Sequence, residues 1–366
     1  MNNHVTVLEI DVNALEHNLH YFKKKLHEKT KILAVVKAFG YGSDGAQVAY
    51  FLKDKVAYFA VAYAHEGTAI RKAKVRTPIL VLHPQIQNFN QIVRDKLEPS
   101  IYNLKTLTLF LAYAKKQELL SYPIHLKFNT GLNRLGLSKA DIPLIMDAIN
   151  SSKHVKIESI LSHLAASEDT NERVFTLKQL HNFKEIIKEV YDYLEYTPIA
   201  HTLNTSGVIN YPEAQFDMVR IGIGLYGFGN DKKETSQLKN SHILKSVISQ
   251  IHSVKKGETV GYNRAFGTNK DSEIATIPIG HADGLSRKLG NGKGYVTIHG
   301  QRAPIISNVC MDMIMVNITH INCKEGDVVF IFKTQEDILN ISSVSETISY
   351  EVLTLISQRI KRVLIH

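Results

Sequence analysis

The stretch AVVKAFGYGSDG, residues 34–45, is compatible with two different folds. Its second half fits the G-x-G-x-x-G pattern of a dinucleotide-binding turn, which follows a strand and opens a helix. Three residues before the first glycine, however, Lys37 closes the apolar run. A lysine at the end of a strand is suited to Schiff-base chemistry when its surroundings lower its pKa. The number of strands in the chain decides between the two interpretations.

Eight apolar, β-branched-rich runs follow one another in the N-terminal part of the chain, and amphipathic stretches separate most of them. A (β/α)8 barrel requires eight strands, whereas a dinucleotide-binding domain stops at about six. The count therefore predicts a TIM-type barrel, with Lys37 at the active-site end of its first strand. The predicted strands are 31–37, 57–62, 77–82, 98–102, 123–128, 155–161, 198–204 and 218–224.

The pattern changes after about residue 230, where a polar segment precedes strand-like runs without long helices between them. We predict a barrel domain over residues 1–230 and a mainly β C-terminal domain over residues 231–366. The last amphipathic segment, 348–365, is predicted to be helical. The early run 5–10 precedes the eight barrel strands, and we expect it to pack with the C-terminal domain.

Composition limits the possible partners and compartments. No apolar run approaches the ~18 residues of a membrane span, and the N-terminus lacks the features of a secretory signal. The formal charge of +9 is spread along the chain rather than clustered, which argues against nucleic-acid binding. Cys310 and Cys323 have no metal-binding spacing, so we expect no metal, no membrane and a cytoplasmic location.

Eight blocks of the sequence, in order, resemble the bacterial alanine racemases, pyridoxal-phosphate-dependent enzymes of fold type III. AVVKAFGYGSDG (34–45) is similar to their A-V-V-K-A-N-A-Y-G-H-G, and KFNTGLNRLG (127–136) is similar to K-x-D-T-G-M-x-R-L-G. The resemblance extends from about residue 5 to the last amphipathic segment. The other blocks are SHLAASED (162–169), HTLNTSG (201–207), MVRIGIGLYG (218–227), VGYNRAF (260–266), IPIGHADG (277–284) and VCMDMIMV (309–316).

The resemblance implies that the protein interconverts L-alanine and D-alanine, supplying D-alanine for peptidoglycan. Lys37 would bind pyridoxal 5'-phosphate covalently and act as one base. Tyr262 would be the second base, on the opposite face of the substrate, and it would come from the partner subunit of a homodimer. Arg220 would face the pyridine nitrogen, to which an arginine donates a hydrogen bond without giving up its proton.

The other implied site residues surround the cofactor and the substrate. Arg134 would approach the phenolic oxygen of the cofactor at the substrate end, and Met311 and Asp312 of the partner subunit would complete that end. Lys127 matches a family lysine that can carry a carbamate. The implied cofactor-binding residues besides Lys37 and Arg220 are Tyr41, His163, Asn204, Thr205, Gly222 and Ile223.

The sequence departs from the family pattern without losing a catalytic group. His281 stands where a tyrosine is usual, and Gln358 stands where many relatives have a tyrosine that touches the phosphate. These departures leave substrate preference and cofactor affinity open. The other departures are Phe39, Gly40, Asn129 and Asn133.

Three alternative functions remain open from sequence. One is a racemase of the same fold that acts on another amino acid, such as serine or lysine. A second is a cofactor-binding barrel of vitamin B6 homeostasis, although such proteins lack a C-terminal domain with a residue like Tyr262. The third is a dehydrogenase dependent on NAD, as the G-x-G-x-x-G match suggests.

Overall fold

The computed structural model describes residues 4–366, so residues 1–3 of the predicted first domain lie outside the described part. The described chain begins with strand β1 (Val7–Asp11), which leads directly into helix α1 (Val12–Lys24). Asp11 caps this helix, because its side chain accepts a hydrogen bond from the backbone N–H of Ala14. Strand and helix therefore meet without a loop.

Eight parallel strands then form a nearly closed barrel, which confirms the predicted fold. Their order is β8-β7-β6-β5-β4-β3-β2-β9, so successive strands are neighbours and the last returns beside the first. The dinucleotide-binding interpretation is wrong, because the glycine-rich loop belongs to a barrel. The strands are β2 (Lys31–Val35), β3 (Tyr58–Val61), β4 (Ile79–Val81), β5 (Glu98–Ile101), β6 (Tyr122–Lys127), β7 (Val155–Leu161), β8 (Ile199–His201) and β9 (Met218–Ile221).

Helices connect the barrel strands and cover the outside of the barrel. In α6, Leu107 and Phe110 are buried on the face toward the strands, and Asn103 caps the helix by accepting from the N–H of Thr106 at 2.7 Å. The helices are α2 (Lys37–Tyr41), α3 (Gly45–Leu52), α4 (Ala64–Lys72), α5 (Phe89–Arg94), α6 (Leu104–Lys116), α7 (Ile142–Asn150), α8 (Arg173–Tyr191) and α9 (Thr205–Asn210).

The short segment α2 is left-handed. Ala38, Phe39, Gly40 and Tyr41 all have positive φ, between 52° and 64°. Such residues cost about 1–2 kcal/mol each outside glycine, so surrounding contacts must hold the turn. The Glu66 carboxylate does so by accepting from the N–H of Ala38 at 2.6 Å. A Cβ at Gly40 would lie 2.7 Å from the Cα of Gly45, so close packing of the two glycines explains the second half of the opening motif.

The C-terminal part of the chain is mainly β, as predicted. Its nine-stranded sheet has the order β11-β14-β17-β16-β15-β18-β10-β1-β19, and β12 and β13 form a separate hairpin. The N-terminal β1 lies between β10, to which it is antiparallel, and β19, to which it is parallel. These elements are α10 (Lys232–Ser236), β10 (His242–Val247), β11 (Gln250–Val254), β12 (Thr259–Val260), β13 (Phe266–Gly267), β14 (Ser272–Ile277), β15 (Tyr295–Ile298), β16 (Gln301–Ile306), β17 (Ile314–Asn317), β18 (Val328–Phe332), α11 (Gln335–Ser345), α12 (Ser349–Thr354) and β19 (Lys361–Ile365).

The prediction of one helix over 348–365 is wrong. Only α12 is helical, and the chain then forms β19 along the edge of β1. The amphipathic pattern of this segment fits a helix or a strand. Pairing with β1 provides hydrogen-bond partners for its backbone as a strand. The predicted domain boundary at 230/231 falls between β9 and β10 and stays a prediction. Within residues 4–366, no helix combines the length and the apolar character needed to cross a membrane.

Candidate active site

A cavity of about 1030 Å³ opens at the C-terminal ends of the barrel strands, where barrel enzymes bind their substrates. Its lining includes residues from the ends of seven barrel strands or the loops that follow them. All residues that sequence assigned to this chain's own half of the site line it. They are Lys37, Tyr41, Lys127, Arg134, His163, Asn204, Thr205, Arg220, Gly222 and Ile223.

Lys37 lies two residues beyond the end of β2, at the start of the left-handed turn, and is half-buried. Burial lowers the pKa of its amine, and the positive charges of Arg134 and Arg220 lower it further, whereas Glu66 opposes the shift. A lowered pKa increases the fraction of neutral amine near pH 7. The neutral form of a lysine amine is the one that can act as a nucleophile or a base, so the cavity favours the reactive form of Lys37.

Arg220 is a buried cation at the wall of this cavity. Its Nη1 donates to His201 Nδ1 at 2.9 Å, and its Nη2 donates to the carbonyls of Ser162 and Thr202 at 2.7 Å each. Burial lowers its pKa to about 10, so it keeps its proton at neutral pH. Within residues 4–366, its Nε–H has no hydrogen-bond partner, which leaves one donor for a ligand.

His163 follows β7 and is held neutral by its neighbours. Its Nδ1 lies 3.0 Å from Nη2 of Arg220, and because an arginine can only donate, this nitrogen carries no proton and shares the two Nη2 hydrogens with the carbonyls of Ser162 and Thr202. Burial lowers the pKa of His163 well below its usual value, and the charge of Arg220 lowers it further. The ring therefore supports Arg220 without adding a second positive charge to the cavity.

Hydroxyl and backbone groups beside β9 form a cradle suited to a phosphate. Thr205 begins α9, and its Oγ1 accepts from the N–H groups of Gly222 and Gly224 at 3.1 and 3.3 Å. The hydrogen of that hydroxyl is therefore free to donate to an anion. A Cβ at Gly222 would lie 2.5 Å from the hydroxyl oxygen of Tyr41. Burial raises the pKa of Tyr41, so its hydroxyl also remains a donor.

Asn204 has a structural task at the edge of this cradle. Its Oδ1 accepts from the N–H of Gly207 and from the hydroxyl of Ser167, both at 2.8 Å. This cap fixes the start of α9, and with it the position of Thr205. Asn204 therefore contributes to the cradle by orienting the helix that presents its neighbour.

Lys127 ends β6 and is buried beside other cations. Burial lowers its pKa to about 8, with further lowering from the charges of Arg220, Arg134 and Lys37. More of Lys127 is therefore neutral near pH 7 than of an ordinary lysine. Among residues 4–366 no carboxylate contributes to this shift, so the protonated amine has no compensating negative charge beside it.

We expect Lys127→Met to raise the free energy of unfolding of the cofactor-free protein at pH 7 by up to about 3 kcal/mol. The unfolded chain binds this proton up to pH 10.5 and the folded chain only up to about 8, so wild-type stability rises with pH across that window. The variant loses this rise. Urea unfolding in CO2-free buffer at pH 7 and pH 10 measures both effects. The exposed Lys178→Met is the control, and equal behaviour of the two variants would contradict the assignment.

The three residues expected from a partner subunit lie elsewhere. Tyr262 begins a short 3-10 turn of the C-terminal part, is 72% exposed and does not line the cavity of its own chain. Met311 and Asp312 follow β16, and the loop that carries them is linked to Tyr262 by Asn308, which donates to the Tyr262 carbonyl at 3.4 Å. The three residues thus form one exposed group on the C-terminal part of the chain.

Arg359 fixes the acidic member of this exposed group. Its Nη2 donates to Asp312 Oδ1 at 2.6 Å, and its Nε donates to Asp283 Oδ1 at the same distance. Asp283 is buried and also accepts from the N–H of Gly280. The backbone N–H of His281 bonds to the Cys310 carbonyl, so His281 lies on the loop beside Met311.

Tyr350, at the start of α12, is a cavity residue that sequence reasoning missed. Its ring centroid lies 6.2 Å from that of Tyr41, and burial raises its pKa to about 12. Gln358, to which the tyrosine position was assigned, is exposed and does not line the cavity, so that assignment is wrong. The error arises because residues 348–365 were predicted to form one helix. In the structure Tyr350 lies in α12, whereas Gln358 lies in the connection between α12 and β19.

Comparisons with known proteins identify relatives over the whole chain. The family model described as "Alanine racemase, N-terminal domain" matches residues 10–229, and "Alanine racemase, C-terminal domain" matches residues 242–364. Alanine racemase 2 of Oceanobacillus iheyensis is 36% identical over 98% of this chain and 93% of its own. The alanine racemase structure of Clostridium difficile 630 is 31% identical, with a TM-score of 0.94 over 100% of this chain and 97% of its own. That of Bartonella henselae, described with covalently bound pyridoxal phosphate, is 28% identical, with a TM-score of 0.87 over 99% and 100%.

Proposed function

This chain belongs to the alanine racemase family, and from that premise we propose that it interconverts L-alanine and D-alanine with pyridoxal 5'-phosphate as its cofactor. The observation that carries the proposal is Lys37, an amine of lowered pKa in a cavity that also holds a free arginine donor and an anion cradle. The circular dichroism of L-alanine, followed over time with protein and cofactor, tests it. The signal should decay to zero, and a flat trace would contradict the proposal.

The residues of the cavity fit this cofactor. The Nε–H of Arg220, unpaired within residues 4–366, suits the acceptor nitrogen of a pyridine ring. Tyr41, Thr205 and the backbone at Gly222 suit its phosphate. The amine of Lys37 suits its aldehyde. When bound, the cofactor stabilises the negative charge that develops at Cα as the proton leaves.

We expect Gly222→Ala to weaken cofactor binding by about tenfold, the effect of losing one hydrogen bond to a charged group. The new methyl group would occupy the space 2.5 Å from the Tyr41 hydroxyl oxygen and displace it from the cradle. Titration of the cofactor-free protein, followed by absorbance, gives the dissociation constant. Gly267→Ala is the matched control, because a Cβ there meets nothing within 4 Å. Unchanged affinity in Gly222→Ala would remove Tyr41 from the phosphate site.

Racemisation requires two groups on opposite faces of the substrate, one to remove the Cα proton and one to return it. We infer that Lys37 is the group on one face and Tyr262 the group on the other. Arg220 would donate a hydrogen bond to the cofactor and keep its own proton, because its pKa of about 10 lies well above neutral pH. Arg134 and, from the partner, Met311 and Asp312 would hold the substrate end.

The proposal requires a homodimer with shared sites. Its support is the position of Tyr262, which is exposed and lies outside the cavity that holds Lys37 of the same chain. In a two-fold dimer each chain can insert its exposed group into the cavity of the other. His281, on the adjoining loop, would enter the same cavity mouth, so it is the departure most able to change substrate preference.

We expect Lys37→Ala and Tyr262→Ala subunits, each inactive alone, to recover about a quarter of wild-type activity when mixed and reassembled. Half of the randomly paired dimers are mixed, and each mixed dimer has one intact site of two. Racemisation rate against mixing ratio is the measurement. Mixing Lys37→Ala with Lys37→Ala,Tyr262→Ala subunits is the control and should recover nothing. No recovery in the first mixture would contradict the shared site.

Lys127 is proposed to carry a carbamate in the active enzyme. A neutral amine is the form that reacts with CO2, and a pKa of about 8 supplies it at physiological pH. The carbamate would add a negative charge next to Arg134 and Arg220, the cations that now lower the Lys127 pKa.

We propose that the enzyme supplies D-alanine for peptidoglycan precursors, as membership of the alanine racemase family implies. We also propose a cytoplasmic location. Its support is that Cys310 and Cys323 are free thiols rather than a disulfide, a state typical of reducing compartments.

A further inference from the structure

A continuous chain of hydrogen bonds crosses the barrel interior behind the active site. It uses one buried side chain from each of the strands β5, β6, β7, β8 and β9. Glu98 Oε2 lies 2.9 Å from His125 Nε2, and His125 Nδ1 lies 2.6 Å from Ser159 Oγ. Ser159 Oγ lies 3.0 Å from His201 Nε2, whose Nδ1 lies 2.9 Å from Arg220 Nη1. The chain thus joins a carboxylate at the start of β5 to the guanidinium at the cavity wall.

The two ends of this chain fix the direction of every hydrogen bond in it. Arg220 can only donate, so His201 Nδ1 accepts and His201 Nε2 carries the ring proton. His201 Nε2–H then donates to Ser159, whose hydroxyl donates to His125 Nδ1. The remaining His125 Nε2–H donates to Glu98, a carboxylate that can only accept. All donors point away from Arg220 and toward Glu98.

Other protonation states leave a buried atom unpaired. If His125 were doubly protonated, both rings would donate to Ser159, and the hydroxyl hydrogen of Ser159 would have no acceptor among the described residues. If His201 carried its proton on Nδ1, that hydrogen would face the Nη1–H of Arg220 across 2.9 Å. Burial and the charge of Arg220 also hold the pKa of His201 well below its usual value. A neutral, one-directional chain is the arrangement that satisfies every member.

Arg220 depends on such a chain because it has no direct counter-ion. Its hydrogen bonds go to the carbonyls of Ser162, His201 and Thr202 and to two imidazole nitrogens. None of the described residues places a carboxylate in contact with it. A buried cation normally requires a paired negative charge, and the chain leads from Arg220 to the carboxylate of Glu98.

We propose that Glu98, His125 and Ser159 are positioning residues for Arg220. They hold His201 in the tautomer that accepts from Arg220, balance the arginine charge from the far side of the barrel, and so keep the free Nε–H directed at the ligand. This inference rests on the proposed function only for the identity of the ligand that Arg220 binds. The chain of hydrogen bonds itself does not depend on any activity.

The first test uses the wild-type holoenzyme and needs no racemase activity. Protein with 15N-labelled histidine is measured by NMR, and the ring signals are assigned with His125→Gln and His201→Gln variants. His125 and His201 should both be singly protonated on Nε2 at pH 7. A proton on Nδ1 of His201, or a doubly protonated His125, would overturn the proposal. A protein without racemase activity would defeat the proposed function and leave this result standing.

The second test removes one link and compares it with a matched neighbour. Ser159→Ala interrupts the chain, whereas Ser100→Ala removes a hydroxyl that is equally buried, lies opposite His125 and has no partner within residues 4–366. Ser159→Ala should lower kcat about tenfold with KM within about twofold, and shift the absorbance of the bound cofactor. Ser100→Ala should change none of these. Equal behaviour of the two variants would show that the chain does not act through Arg220.

Discussion

Lys37→Ala is expected to lower kcat for racemisation by at least about 10⁴-fold and to abolish covalent attachment of the cofactor. Removal of one general base alone costs up to about 10⁴-fold, and Lys37 is also the amine that would join the cofactor. The left-handed turn that follows Lys37 is held by Glu66 through the Ala38 N–H, so it persists without the lysine side chain. The loss should therefore be chemical rather than structural.

Two measurements separate the roles of Lys37. The circular dichroism of L-alanine gives the rate, and mass spectrometry after borohydride reduction reports whether the cofactor is linked to the chain. Lys31→Ala is the control, because Lys31 lies on the same strand β2 but is exposed at its opposite end. If Lys37→Ala keeps more than about one percent of the wild-type rate, or still links the cofactor covalently, another lysine carries the chemistry. Lys127, which also lines the cavity, is then the candidate.

The barrel and the position of its site follow from features that are local in sequence. Buried parallel strands read as continuous apolar runs, and the eight runs between residues 31 and 224 are the eight strands of the barrel. Residues that end or follow such runs must meet at one end of the barrel. Its place at the end of the first run was enough to assign Lys37 to the cavity, whereas Lys127, His163 and Arg220 were assigned by the resemblance to the alanine racemases.

The features that sequence missed depend on contacts between distant segments. Only one of the four residues in the left-handed turn after Lys37 is a glycine, and the turn is held by Glu66, 28 residues from Ala38. Tyr350 reaches the cavity because α12 stops at Thr354 and β19 pairs with β1, where Lys361 lies opposite Val7 at the other end of the chain. No local pattern carries such information, and the C-terminal segment also fits a continuous helix.

The polar barrel interior is a second example of non-local order. His125 and Ser159 occupy the middle of predicted strands, where a polar side chain alone argues only for a satisfied core residue. Their role depends on hydrogen-bond partners that are 27 to 42 residues away in sequence. The register of the parallel strands brings these partners together. Glu98, at the start of a strand and far from the cavity, had no feature that linked it to Arg220.

Tyr262→Phe is expected to lower the racemisation rate by about 10²–10⁴-fold. Proton exchange on the substrate face served by Lys37 should continue. The substitution removes only the hydroxyl, and the residue is 72% exposed, so folding and the attachment of Tyr262's loop through Asn308 should not change. Lys37 remains in place. It can still remove the Cα proton of the enantiomer whose hydrogen faces it, and return a hydrogen to that same face.

Solvent exchange in D2O measures this difference between the two faces. In Tyr262→Phe, one enantiomer of alanine should gain deuterium at Cα without inversion, while the other should stay unlabelled. The wild-type enzyme should label both, and Tyr193→Phe, which removes the hydroxyl of another exposed tyrosine, should behave like wild type. Equal labelling of both enantiomers by Tyr262→Phe would mean that a single group serves both faces. Lys37 would then act alone, and the partner subunit would not need to supply a base.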